Sequence, residues 1–305
     1  MGMEQAGHEC VGFCEIDKFA RKSYKAIHDT KGEVEWHDIT TVTNEHIRPL
    51  RGRVDVICGG FPCQAFSVAG KRGGFDDTRG TLFFEIARIA DILRPRYLFL
   101  ENVKGLLSHD GGATFETILR TLDELGYDAE WEVLNSKDFS TRDRPVPQNR
   151  ERVFIIGHLR GCGGRTVFPV RESGKEINGI PRQQDYTNTL KARYEAIGDG
   201  SYIIEGQQYA QAVLTPDREE KRQNGRRFKE NGEPMFTLTS QDRHGIYDGY
   251  RIRKLTPREC FRLQGFPDWA FDRAAEVNSD SQLYKQAGNS VTVNVIYEIA
   301  RRLHA

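Results

Sequence analysis

Hydrophobic positions in the first 160 residues alternate between runs that suit strands and spacings that suit helices. His8 to Cys14 is a short apolar run that closes on Glu15-Ile16-Asp17, and Phe19 to Ile27 follows as a helix. Val54-Asp55-Val56-Ile57-Cys58 reads as a buried strand ending in Gly59-Gly60. Leu82, Ile86, Ile89 and Leu93 recur at helical spacing and share one face. Tyr97-Leu98-Phe99-Leu100 is the next strand, ending at Glu101-Asn102, and Phe115 to Leu125 is a helix closed by Gly126. Trp131 to Leu134 and Val153 to Ile156 are further strands. This strand–helix–strand rhythm predicts the α/β class, with a mostly parallel sheet covered on both faces.

The pattern changes near Gly161-Cys162-Gly163-Gly164. From there to about Tyr250 the periodicity is weak and polar, and residues 218–229 hold six Lys/Arg against two Glu. A solvated face and a nucleic-acid contact are both open for that run. After Arg253 helical spacing returns and ends in Val291 to Leu303.

The chain has 305 residues, room for a large domain with a smaller companion. Lys+Arg and Asp+Glu both number 44, so the formal charge is zero. That excludes a uniformly basic nucleic-acid coat but allows a local basic groove. No apolar run approaches the roughly 18 residues of a membrane span, and no secretory leader pattern opens the chain. The six cysteines (Cys10, Cys14, Cys58, Cys63, Cys162, Cys260) form no C-x-x-C pair. A disulfide framework and a zinc ribbon are therefore not expected, no metal site is assigned, and a reducing cytoplasm fits.

Three stretches carry candidate chemistry. Gly60-Phe61-Pro62-Cys63-Gln64 follows a buried strand, and functional groups in open α/β sheets gather beyond the carboxyl ends of strands. Pro62 suits a first helical turn, where Cys63 would meet unpaired backbone donors that favour the thiolate. A buried structural cysteine is the plainer alternative. Glu101-Asn102-Val103 ends the next strong strand. Gln148-Asn149-Arg150-Glu151-Arg152 opens a further strand, where alternation sends Arg150 and Arg152 to one face. A guanidinium there can steer a carboxylate or bind a carbonyl oxygen.

Together these pieces resemble the DNA cytosine-5 methyltransferases over nearly the whole chain. Phe61-Pro62-Cys63-Gln64 resembles the family's nucleophile motif, Glu101-Asn102-Val103 its acidic motif, and Gln148-x-Arg150-x-Arg152 its Q-x-R-x-R. Arg253-x-Leu255-Thr256-Pro257-Arg258-Glu259 resembles its late structural motif, and Gly288-Asn289-Ser290-Val291 its final cofactor-side motif. Thr256-Pro257-Arg258-Glu259 also reads directly as a capping box with proline in the first turn.

The resemblance implies a Rossmann-like S-adenosyl-L-methionine-dependent sheet with a smaller target-recognition domain. Its catalytic set is Cys63, Glu101, Arg150 and Arg152. Cys63 adds to carbon 6 of cytosine and makes carbon 5 enamine-like. Glu101 engages ring nitrogen 3 and the exocyclic amine, Arg152 binds the base oxygen, and Arg150 orients neighbouring groups. The cytosine must first leave the duplex stack. The cofactor side falls on Glu15, Ile16, Asp38, Ile39, Pro62, Leu82, Asn289 and Val291. DNA contacts fall on Ser67, Lys71, Arg79 and Gln148, three of them in a polar, glycine-rich loop.

The same resemblance divides the chain into a catalytic part (1–160), a recognition part (161–254) and a returning C-terminal segment (255–305). Base-reading candidates are Gln183, Gln184, Arg193, Gln241 and Arg243. The implied partner is double-stranded DNA, with a cognate restriction endonuclease in the same system, for a monomeric, cytoplasmic enzyme of bacterial or phage origin. The family's opening F-x-G-x-G-G is not found; Gly2-Met3-Glu4-Gln5-Ala6-Gly7 resembles the end of the helix that follows it. The expectation is a catalytic part incomplete at its N-terminal side, with weakened cofactor binding. A non-enzymatic DNA-binding relative and an RNA cytosine methyltransferase are the alternatives, and the long insert suits a duplex reader better than an RNA enzyme.

Overall fold

The computed structural model describes residues 1–62, 82–163, 165–170, 211–216, 226–230, 232–240, 243–247 and 252–303. The chain opens with a single helical turn, α1 (Gly2–Gln5), and a short strand, β1 (Gly12–Cys14). Helix α2 (Lys18–Ile27) starts where the Asp17 carboxylate accepts the amides of Phe19 and Ala20, satisfying two of the donors a helix leaves open at its start. Strand β2 (Val34–Trp36) pairs in parallel with β1, and the short helix α3 (Asn44–Ile47) follows.

Strand β3 (Val56–Gly60), helix α4 (Leu82–Leu93), strand β4 (Tyr97–Val103), helix α5 (Ala113–Glu124), strand β5 (Tyr127–Asn135) and strand β6 (Glu151–Leu159) build the central layer. Gly126, at φ +83°, turns the chain from α5 into β5, a backbone region that side chains with a Cβ rarely adopt. The strands are ordered β3-β4-β6-β5. Both faces of this sheet are covered, as predicted. Leu98, Leu100, Val153 and Ile155 face α4 and α5 through Phe83, Ile86, Ile118 and Leu122. Tyr97, Phe99, Phe154 and Ile156 face the C-terminal helix through Val295 and Ile299.

The sheet is less parallel than the alternation implies. β3 and β4 are parallel, but β6 runs antiparallel to both β4 and β5. The connection from β5 to β6 holds only a short 3-10 turn (Ser136–Phe139) among its elements. Without a crossover helix, the chain returns beside β5 in the opposite direction.

Beyond the central layer, β7 (Gln211–Leu214), β8 (His244–Tyr247) and β9 (Ile252–Lys254) form a separate antiparallel sheet. Four helices close the described chain: α6 (Pro257–Leu263), α7 (Asp268–Val277), α8 (Asp280–Asn289) and α9 (Val293–Ala300). The start of α6 is the predicted capping box: the Glu259 amide donates to Thr256 Oγ1 at 3.3 Å and the Thr256 amide to Glu259 Oε2 at 2.7 Å. Leu238 and Ile246 pack with Phe261, Leu263 and Leu283 in a cluster of their own.

Candidate active site

The end of β4 brings a carboxyl and a guanidinium together. Glu101 stands opposite Phe154 in the register, and Arg152 stands opposite Val103. Directly opposed residues share a face, so the side chains of Glu101 and Arg152 meet diagonally, with Oε1 2.9 Å from Nε. Both side chains are largely buried, at 17% and 16% exposure. Burial pushes the Glu101 carboxyl above its ordinary range while the Arg152 charge pulls the other way. Burial likewise lowers the Arg152 guanidinium, with Glu101 opposing. The arrangement is a polar group held out of bulk water, able both to accept and to retain a proton.

Gly60 ends β3 directly beside Glu101 in the register. A Cβ at Gly60 would lie 3.1 Å from Glu101 Oε2, so the missing side chain leaves room for the carboxyl. Phe61 follows, buried against Phe83, and Pro62 is exposed. The buried Asn102 donates from Nδ2 to the Phe61 carbonyl at 2.8 Å and accepts the Val103 amide at 2.8 Å. It thereby ties Phe61, at the exit from β3, to β4. The sequence assigns Asn102 no role of its own, although an amide inside a buried strand is itself a signal that the group is satisfied by a neighbouring segment. Cys63, Ser67, Lys71 and Arg79 lie outside the described residues.

Arg150 and Gln148 are both buried, and Gln148 departs from its expected role. Arg150 is 3% exposed, and its guanidinium donates to the carbonyls of Leu238 (2.9 Å), Gly288 (3.3 Å) and Ser290 (2.9 Å). Burial lowers its pKa to about 10, with the Arg152 charge adding to the effect. A direct contact to a base is not open to a guanidinium committed in this way. Gln148, expected to touch DNA, is fully buried. Its Nε2 donates to the Leu263 carbonyl at 3.2 Å and its Oε1 accepts the Leu238 amide at 3.3 Å. That expectation is corrected: both ends of the amide are spent on backbone inside the protein.

The cofactor-side residues fall at strand ends and turns. Because β1 and β2 are parallel, Glu15 and Asp38 follow adjacent strand ends, joined where the Glu15 amide donates to Trp36. Glu15 Oε1 accepts the Asp17 amide, and Asp38 Oδ1 accepts both the amide and hydroxyl of Thr40. Those Thr40 bonds hold the Asp38 carboxyl below its ordinary range. One oxygen of each carboxylate has no hydrogen-bond partner among the described residues. Ile16 is 69% exposed and Leu82 is 41% exposed, although Ile86, Ile89 and Leu93 on the same helix face are buried. Ile39 is partly buried between two core clusters. Asn289 is exposed at the end of α8, and Val291 packs at the edge of the cluster under α9. Open carboxylate oxygens beside exposed aliphatic surface fit a group that carries hydroxyls and a flat heterocycle. Of the base-reading candidates, Arg243 is described and the other four are not.

Comparison with known proteins bears on the whole chain. A sequence model of the C-5 cytosine-specific DNA methylase family matches residues 1–305. The orphan methyltransferase M.SPBetaI of Bacillus phage SPbeta is 35% identical, with 97% of this chain and 92% of that protein covered. The type II methyltransferase M.HpaII of Haemophilus parainfluenzae is 38% identical, with 99% and 85% covered. Among solved structures, a putative DNA modification methyltransferase encoded within an E. coli prophage superposes with a TM-score of 0.66 at 19% identity, covering 99% of this chain and 94% of the other. The S. pombe Dnmt2 methyltransferase gives 0.63 at 19% identity, covering 99% and 93%. Those two likenesses speak to the fold.

Proposed function

Because the chain belongs to the C-5 cytosine-specific DNA methylase family, we propose that it transfers a methyl group from S-adenosyl-L-methionine to carbon 5 of a cytosine flipped out of a specific duplex site. The observation that carries this reading is the buried Glu101–Arg152 pair beside Gly60, at the strand end that leads into Pro62-Cys63. In it, Cys63 is the nucleophile at carbon 6. Glu101, kept up by burial, holds a proton toward ring nitrogen 3, and Arg152 both orients Glu101 and binds the base oxygen. S-adenosyl-L-methionine would supply an electrophilic methyl group. Glu15 and Asp38 would take its hydroxyls, Ile16 and Leu82 its apolar surfaces, and Pro62, Ile39, Asn289 and Val291 the remaining walls.

Residues 161–254 are the recognition part in this reading, and the DNA contacts beyond the described residues are Ser67, Lys71 and Arg79. The named phage and type II relatives favour a role in phage or restriction-modification DNA methylation, with an endonuclease as counterpart in the second case. No helix among the described residues is long and apolar enough to cross a membrane.

The test is covalent capture. A duplex carrying 5-fluorocytosine should trap the wild-type chain in the presence of the cofactor and should not trap Cys63→Ser. Peptide mapping should find the adduct on Cys63. An adduct on another cysteine, or equal trapping of the variant, overturns the assignment.

A further inference from the structure

Residues 147–150 and 235–238 run side by side, bonded as a short ribbon. The Met235 amide donates to the Pro147 carbonyl at 2.8 Å, and the Asn149 amide donates to the Met235 carbonyl at 3.0 Å. Thr237 Oγ1 donates to the Asn149 carbonyl at 2.6 Å. Leu238 then has both backbone groups held: its N–H by Gln148 and its carbonyl by Arg150. The same Arg150 guanidinium holds the carbonyls of Gly288 and Ser290, which flank Asn289 at the end of α8. Where the two segments touch, a Cβ on Gly288 would lie 2.5 Å from the Ser240 nitrogen and 2.6 Å from the Thr239 oxygen. The contact is backbone on backbone, with no flexible side chain to absorb a shift.

We propose that Arg150 is a positioning residue that locks residues 235–240 against the Gly288–Ser290 turn, so that binding on the duplex side and on the cofactor side are coupled through it. This rests on the reading above, in which the strap belongs to the recognition part and the turn to the cofactor pocket. A single buried guanidinium serves because it presents several donors in a rigid plane, which a lysine ammonium cannot reproduce. A displacement of the strap by DNA is passed to the turn because Arg150 cannot satisfy one side alone: losing either set leaves a buried charge underbonded.

The test measures S-adenosylhomocysteine affinity by calorimetry, with and without a duplex carrying the site that the wild type methylates. Coupling of an ordinary size would make the wild-type ratio roughly tenfold. Arg150→Lys should bring the ratio close to one while retaining a cooperative melt. Gly288→Ala, which forces the segments apart with Arg150 intact, should do the same. A merely structural loss would weaken each affinity and leave the ratio unchanged. A wild-type ratio of one, or an undiminished ratio in both folded variants, overturns the proposal. A wild type that methylates no duplex overturns the functional reading itself, and this inference with it.

Discussion

Glu101 and Arg152 meet diagonally across two antiparallel strands, two register positions out of line, with a carboxyl oxygen 2.9 Å from the guanidinium. The pairing holds a carboxyl in place while burial raises its pKa against the pull of the neighbouring cation. Its consequence is a pH dependence of known sign. The native state keeps the Glu101 proton above the ordinary value of 4.5, where the unfolded chain has released it. That contribution is present below the unfolded value and is lost as pH rises through the raised native one. Glu101→Gln lacks the step. The stability difference, wild type minus variant, should therefore fall in urea unfolding as pH rises above 4.5. A flat difference would refute the shifted carboxyl. Methyl transfer by the variant should drop by about 10²-fold or more.

Gly60→Ala tests the room left for that carboxyl. The new methyl, 3.1 Å from Oε2, should push Glu101 off the geometry it holds with Arg152. Turnover should fall about tenfold, with stability changed by less than about 1 kcal/mol. Steady-state kinetics beside a thermal melt separates the two effects.

Asn102→Asp keeps the shape and removes the donor. A carboxylate oxygen would then face the Phe61 carbonyl in a buried site. Stability should fall by about 1–3 kcal/mol. Trapping by 5-fluorocytosine DNA should slow as well, because Phe61, two residues before Cys63, loses its tether to β4. Unchanged trapping kinetics in a destabilised variant would restrict Asn102 to a structural role.

Gln148→Ala should destabilise the fold by about 1–3 kcal/mol, since the Leu263 carbonyl and the Leu238 amide both lose a buried partner. Duplex affinity per folded molecule should stay as in the wild type when the protein is assayed well below its melting point. A selective loss of DNA binding without loss of stability would restore Gln148 as a DNA contact.

Thr256→Ala removes the cap of α6 and should cost about 1 kcal/mol in chemical denaturation. Affinities for duplex and S-adenosylhomocysteine should not move.

Much of the central layer was legible because its signals are local. The apolar run Tyr97 to Leu100 marked β4, which runs on past Glu101 to Val103, and the helical spacing of Ile86, Ile89 and Leu93 marked the buried face of α4. The capping box at Thr256 and Glu259 was readable for the same reason, since it closes within four residues. Strand direction was not legible. Alternation has the same period in either direction, so nothing in Val153 to Ile156 says that β6 returns antiparallel between β4 and β5.

The sequence by itself determined the main strands and helices around the central layer and the order of the chemical groups along them, because each depends on neighbours a few residues away; it set no bounds for β2 or for β7 to β9. Only the tertiary structure decided what Gln148, Arg150 and Asn102 do. The Q-x-R-x-R resemblance assigns Gln148 a DNA contact and Arg150 an orienting role, yet their partners at Leu238, Leu263, Gly288 and Ser290 lie about ninety or more residues further on. A buried polar side chain must find its partner wherever the fold brings one, and that distance in sequence carries no periodic trace. The Glu101–Arg152 contact is of the same kind: two strand positions could be placed separately, but their meeting depended on the register between β4 and β6.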